Sequence, residues 1–270
     1  MRFHEMLRPL GGRSRDMYGA RGWGSLPYQS SPALRIVESS SPMPYRISAI
    51  LFDLDDTLFD RDRAFRSWAE SFVRTHLETQ GELRYREAVD CLVSLDAGGY
   101  CPRETLFSKL KESYPSLQQS VDHLVEIFYQ QFLCHMSLEE KTQRLLNALG
   151  QAGMPFGIVT NGSYRQKHKI EVLGLDKLTS CIFISEVFGC KKPEAKIFLA
   201  AASCLGAAAG EVLFVGDNPN ADICGAQRVG MKTAWLHRGR ARPSDLSNTP
   251  ADMIIDSLEE LFTILGSASV

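Results

Sequence analysis

Apolar positions along the chain follow two different rhythms, and the switch between them marks how the chain is organised. Ala49-Ile50-Leu51-Phe52 is a short uninterrupted apolar run. A run without alternation predicts a strand buried on both faces of a parallel sheet. Beyond it the rhythm turns helical. Phe65, Trp68, Ala69, Phe72, Val73 and Leu77 recur at spacings of three and four, and Val121, Leu124, Val125, Phe128 and Phe132 do the same. Between these stripes, Asp96 to Arg103 carries Gly98, Gly99 and Pro102 and reads as a loop. Residues 62–135 are therefore expected to form a helical insertion whose aromatic stripes serve packing.

From residue 137 helices and strands alternate. Ser137-Leu138-Glu139-Glu140 reads as a capping box opening a helix towards Gly150. Strands are expected at Phe156–Thr160, Cys181–Ile184, Val212–Val215 and Thr233–Leu236, with an edge strand at Met253–Ile255. Helices fall between them, one ending at a Gly174 cap, one over about 193–205, one ending at Gly230, and a last one capped by Ser257 with Glu260. This order predicts βαβ units. The expected fold class is α/β, a Rossmann-like parallel sheet with helices on both faces plus an inserted all-helical domain. The core is expected over 45–61 and 136–270, around the insertion at 62–135.

Residues 1–44 break with this pattern. They are rich in Arg, Gly, Ser and Pro, with Glu5, Asp16 and Glu38 as their acids, and no period runs through them. Disorder is expected there. No secretory apolar region is present, whereas the Arg- and Ser-rich composition leaves an organelle-targeting segment open, and Met43 a later start. The formal net charge of -2 gives no general attraction to nucleic acid or to an anionic membrane, so neither is expected as a partner. The seven scattered cysteines, at 91, 101, 134, 181, 190, 204 and 224, show no metal or redox spacing and suit a reducing, cytoplasmic compartment.

Candidate chemistry sits where the strands end. The first strand runs into Asp53-Leu54-Asp55-Asp56-Thr57. Asp53 and Asp55, two apart, can face the same way on an extended end. Two carboxylates ~4 Å apart repel by roughly 4 kcal/mol at an effective dielectric near 20, which a divalent cation relieves. An EF-hand loop starting at Asp53 fails, since Leu58 and Ala64 stand where Gly and Glu are needed; Asp56 reads as a solvated turn residue. Thr160-Asn161-Gly162 closes another strand and offers a hydroxyl, an amide and close backbone approach for a phosphate oxygen, or else a simple turn. Lys191-Lys192-Pro193 reads, taken alone, as an exposed basic turn with Pro at a helix start. Gly216-Asp217-Asn218-Pro219-Asn220-Ala221-Asp222 places a second acid pair about one helical turn apart, with Asp217 or Asn218 available as an N-cap. Gly225 to Thr233 has the look of a phosphate-binding loop, but it joins helix to strand, the reverse of the order such loops need.

Taken together, Asp53-Leu54-Asp55-Asp56-Thr57, Thr160-Asn161-Gly162, Lys192-Pro193 and Gly216-Asp217 with Asp222 resemble the motifs of the haloacid dehalogenase-like hydrolase superfamily, in order, over about 47–262. The resemblance extends to a helical cap inserted between the first and second motifs. It implies a phosphatase acting on a small phosphorylated metabolite, with a nucleotide or flavin-pathway phosphate as the substrate suggested. It also implies Mg2+, held by Asp53, the backbone carbonyl of Asp55 and Asp217, with Asp222 beside them. Asp53 would be the nucleophile and Asp55 the acid and base. Lys192 would offset charge, and Thr160 and Asn161 would hold phosphate oxygens. Thr57, Gly162, Tyr100 and Arg103 complete the expected substrate contacts, with Phe59 and Arg61 near the leaving group. As the resemblance implies, dehalogenases lack the second carboxylate, so Asp55 argues for an oxygen leaving group. A phosphomutase, a dehalogenase-type hydrolase and a non-catalytic binding protein on the same fold are the alternatives.

Overall fold

The computed structural model of the protein describes residues 46–238 and 251–266. The disorder expected of residues 1–44 lies outside the described residues.

The first apolar run forms β1 (Ala49–Phe52), every residue of it buried. The chain then leaves the sheet for α1 (Arg61–His76), α2 (Gly81–Asp96), α3 (Arg103–Ser113) and α4 (Val121–Gln131). After α5 (Glu140–Gln151) it enters β2 (Phe156–Thr160), α6 (Gln166–Val172), β3 (Ile182–Ile184), the single turn α7 (Ser185–Phe188) and α8 (Ala195–Cys204). β4 (Val212–Gly216) leads through a π-helical segment, Pro219–Cys224, into α9 (Gly225–Arg228). β5 (Lys232–Leu236), β6 (Met253–Ile255) and α10 (Glu260–Gly266) follow.

The six strands form one parallel sheet in the order β3-β2-β1-β4-β5-β6. β1 pairs with β2 on one side and β4 on the other, so the direction of winding reverses there. A crevice opens at such a reversal, beyond the carboxyl ends of the strands. Alternate residues of β1 serve opposite faces. Ile50 and Phe52 belong to a core with Leu145, Leu149, Ile170 and Leu261, while Ala49 and Leu51 pack with Ile197, Phe198 and Ala201 of α8. Helices thus cover both faces.

The inserted helices carry their own aromatic centre. Trp68 is fully buried and meets Phe128 edge-on at 4.8 Å, with Phe65, Phe72 and Phe107 around it. The aromatic stripes are packing surfaces, because their spacing puts them on the inner faces of α1, α3 and α4. Asp60 opens α1 by accepting the Arg63 N–H at 2.8 Å. Gly174 follows α6 with φ 69°, as expected of a left-handed cap.

Two terminal expectations are corrected. The capping box at Ser137 does not form: α5 starts at Glu140 with Glu139 as N-cap, and the Glu139 carboxylate pairs with Lys141 at 2.8 Å. Ser137 is left too far upstream to reach the first-turn N–H groups. Pro193 does not start a helix either. Lys191 to Glu194 close a turn through a 2.8 Å backbone bond, and α8 begins only at Ala195. Among the described residues, no helix is long and apolar enough to cross a membrane.

Candidate active site

Three adjacent strands deliver the site. Asp53 follows β1 directly, its N–H bonded to the Val215 carbonyl of β4 at 2.9 Å. Thr160 ends β2, and Gly216 ends β4 just ahead of Asp217. A cavity of about 520 Å3 lies over these ends. It is lined by Asp53, Asp55, Thr160, Asn161, Gly162, Lys192, Asp217 and Asp222, and also by Tyr100 and Arg103 of the inserted segment. Of the site residues expected from sequence, two lie outside it: Phe59, buried in the hydrophobic core, and Thr57. Thr57 has no exposed surface, and its Oγ1 meets no hydrogen-bond partner. The turn after β1 carries it into the interior instead.

Lys192 is the electrostatic centre. Only 3% exposed, its ammonium donates to Asp53 Oδ1 at 2.5 Å and sits 2.7 Å from Asp222 Oδ1. Burial alone would depress the ammonium, but Asp222 and Asp53 hold its pKa above the usual value. For Asp53, burial pushes the carboxyl well above the ordinary carboxylate range; Lys192 opposes this, and Asp222 and Asp217 add to it. Asp53, Asp217 and Asp222 can each bring one oxygen within 4.8 Å of the others. One lysine against three clustered carboxylates leaves an excess of negative charge, and a hard-oxygen donor set of this kind fits Mg2+.

Other parts fix this cluster. The Asn161 carboxamide clamps the backbone of Lys192, accepting its N–H at 2.8 Å and donating to its carbonyl at 2.9 Å. That amide is therefore committed to holding the lysine. The Gly162 N–H donates to Ser185 Oγ at 3.0 Å, so it is engaged with protein rather than open to a phosphate. Asn218 is the N-cap, its side chain accepting from Asn220 and Ala221, which keeps Asp217 out of the capping. Asp222 Oδ2 accepts the Asn218 N–H at 3.0 Å, so this carboxylate is shared between Lys192 and the loop. Trp235 Nε1 donates to the Asp217 carbonyl at 2.9 Å. Asp56 is buried with φ 58° and accepts the Asp62 N–H at 3.0 Å, so it shapes the turn from within instead of lying in solvent.

Sequence reasoning missed the partners of Asp55. Lys169 Nζ lies 2.7 and 2.9 Å from its two oxygens, and Gln166 Nε2 donates to Oδ2 at 2.6 Å and to Thr160 Oγ1 at 2.8 Å. Burial pushes the Asp55 carboxyl up, but the Lys169 charge and the bonds from Lys169 and Gln166 outweigh it, and the pKa falls below the usual value. The available signal was spacing: Gln166 and Lys169 stand three apart on one face of the helix after Thr160-Asn161-Gly162.

Asp96, which closes α2, is the other missed residue. Only 2% exposed, it accepts from Arg61 Nη2 at 2.8 Å, Arg103 Nη1 at 2.6 Å and the Gly99 N–H at 2.9 Å. Arg103 therefore lines the cavity with its guanidinium already engaged, resting 4.5 Å from the Phe128 ring centre. Tyr100 is 77% exposed, and its hydroxyl accepts from Asn218 Nδ2 at 2.8 Å, tying the inserted segment to the loop after β4.

Comparison with known proteins supports one family. The pattern of the haloacid dehalogenase-like hydrolases matches residues 50–236. A glyceraldehyde 3-phosphate phosphatase from Pyrococcus furiosus is 29% identical, over 82% of this chain and 93% of its own length. A phosphoserine phosphatase from Thermus thermophilus is 30% identical over 75% and 79%. The magnesium-bound orthorhombic crystal form of the HAD-family protein YfnB from Bacillus subtilis superposes with a TM-score of 0.63 at 27% identity, covering 82% of this chain and 99% of that one.

Proposed function

The chain belongs to the haloacid dehalogenase-like hydrolases, and from that premise we propose that it hydrolyses the phosphomonoester of a small metabolite through a phosphorylated Asp53, with Mg2+. The observation that carries this reading is that Asp53, Asp55, Thr160, Lys192 and Asp217, set at the ends of separate strands and the turns beyond them, line one cavity. Relatives named as phosphatases of glyceraldehyde 3-phosphate and phosphoserine support the reaction class.

In this mechanism Asp53 attacks phosphorus, the bond to the leaving oxygen breaks, and that oxygen takes a proton from Asp55. A water then attacks the same phosphorus and gives its proton back to Asp55. The bond to Asp53 breaks, and inorganic phosphate leaves. Lys192 keeps Asp53 oriented and offsets charge on the transferring group. Thr160 and the Asn161 N–H hold its oxygens. Asp53, Asp217 and the backbone carbonyl of Asp55 would hold Mg2+, which supplies charge neutralisation at the phosphoryl group when bound. Asp222 acts mainly through Lys192, given their 2.7 Å contact. Lys169 and Gln166 govern Asp55: in the ligand-free arrangement they favour its ionised form, so it must loosen from Lys169 and take up a proton from solvent before it meets the leaving oxygen.

Residues 62–135 serve as a cap domain over a core of 45–61 and 136–270. Closure over the cavity would exclude water and favour small substrates. The reading is tested by assaying phosphate release from a panel of sugar phosphates, nucleoside monophosphates, flavin mononucleotide and small phosphorylated acids, with Mg2+ or chelator. Mg2+-dependent release is expected. Conversion of a phosphate ester into its isomer without release would replace this reading with a mutase.

A further inference from the structure

The cavity that lies over Asp53 also reaches Tyr129, Phe128, Phe132 and Leu133 of the inserted helices and Arg165 on the core side. At about 520 Å3 it has room for far more than a phosphoryl group. Its positive side chains can be accounted for one at a time. Arg61 and Arg103 both bind Asp96, Lys169 binds Asp55, and Lys192 binds Asp53 and Asp222. Among the described residues, Arg165 is the one arginine or lysine of the lining with no carboxylate partner.

Arg165 is also held in place. Its guanidinium lies 3.8 Å from the ring centre of Tyr129 and 5.4 Å from that of Tyr164. Such contacts restrict the side chain and favour this position by about 0.5–1 kcal/mol even at an exposed site. Ring contact uses the flat face of a guanidinium and leaves the in-plane N–H fork available for a planar or tetrahedral oxyanion. The loop before α6 sets the position, because the Arg165 N–H bonds to Ser163 Oγ at 3.3 Å.

We propose that Arg165, resting on Tyr129, is a subsite for a second anionic group on the leaving part of the substrate, a carboxylate or a second phosphate, so that the preferred substrates are phosphomonoesters of small acidic metabolites. The proposal rests on the phosphomonoester reading and specifies its substrate class. The aromatic and aliphatic wall of Phe128, Phe132 and Leu133 borders a short carbon backbone between the two charged ends. Arg165 touches the leaving group alone and takes no part in bond making.

Three probes share one scaffold and differ in the second group: glycerol phosphate, phosphoglycerate and glycerol bisphosphate. Their kcat/KM values are compared in wild type, Arg165→Met and Arg165→Lys. Wild type is expected to prefer one or both doubly anionic esters over glycerol phosphate by about ten- to hundredfold, the usual worth of a hydrogen bond to a charged group. Whichever of the two is preferred identifies carboxylate or phosphate as the recognised group. Arg165→Met should erase that preference, mainly through KM, while turnover of glycerol phosphate stays within about threefold. Arg165→Lys should recover part of it. Equal turnover of all three esters by wild type, or an Arg165→Met loss shared equally by all three, would overturn the subsite. Calorimetric binding of the same probes to wild type in chelator separates the two claims. An Arg165-dependent binding preference without phosphate release from any ester would keep the subsite and remove the hydrolytic reading. Release without such a preference would do the reverse.

Discussion

Lys169 Nζ sits 2.7 and 2.9 Å from the two carboxylate oxygens of Asp55, a bidentate hold on the second acid of the cavity. Lys169 is the main influence lowering the Asp55 pKa against the upward push of burial. Removing it should let that pKa rise, so Asp55 stays protonated to higher pH. Lys169→Met is expected to move the pH–rate limb belonging to Asp55 towards higher pH. A lower rate with an unmoved profile would mean that Lys169 only supports the fold. A pH series of kcat/KM on wild type and variant decides this.

Asp96 binds two guanidiniums that are themselves almost wholly buried, Arg61 and Arg103. Taking the charge from the centre of such a group leaves the buried Arg103 without a counter-ion and Arg61 with the exposed Asp62 alone, at 3.3 Å, a loss of about 3–5 kcal/mol. Asp96→Asn should show a destabilisation of that order in urea unfolding at neutral pH. A change below about 1 kcal/mol, the value typical of exposed pairs, would contradict the account.

Gly216 closes β4 with no room for a side chain, since a Cβ there would lie 2.3 Å from Asp222 Oδ2 and 2.5 Å from its Cγ. Gly216→Ala must therefore displace the carboxylate that steadies Lys192. The expected result is a loss of about 1–3 kcal/mol in stability and at least about tenfold in kcat through misplacement. Thermal unfolding and steady-state rates on the same preparation check both. Full activity in a stable variant would show that Asp222 can move without consequence.

How much of this could be read in the chain depended on whether the interaction was local. The buried run before Asp53 and the acids after it are contiguous, so the strand and the site end of the sheet followed from one stretch, and the resemblance from that stretch together with three later motifs. The helical stripes around Trp68 were equally readable, because burial imposes a period on sequence. The engagement of side chains was not. The Asn161 side chain reads as a phosphate ligand until its amide is seen clamping Lys192, thirty-one positions away, which leaves only the backbone N–H for that role. Lys169 shows in sequence only that it shares a helix face with Gln166, not that it reaches Asp55, and Arg103 reads as a free cation until Asp96 is found beneath it. Thr57 follows the acids in sequence, yet the turn carries it out of the cavity. Such pairings depend on how separate elements are brought together, which periodicity does not record.

The clustered oxygens of Asp53, Asp217 and Asp222 make a ligand-binding test possible without turnover. Mg2+ added to chelator-treated protein should raise the unfolding temperature, by an amount corresponding to about 2.7 kcal/mol at a hundredfold excess over Kd. Asp217→Asn should lose most of that response. An equal response in both proteins would place the ion elsewhere.

The central claim is that Asp53 itself carries the phosphoryl group, and trapping that bond tests it most directly. The enzyme is acid-quenched during turnover of its best phosphomonoester with Mg2+, reduced with borohydride and mapped by mass spectrometry. The account predicts that Asp53 alone is converted to homoserine, only with substrate and Mg2+ present, and that Asp53→Asn is folded and releases no phosphate. Steady phosphate release with Asp53 unmodified, or an active Asp53→Asn variant, would contradict it.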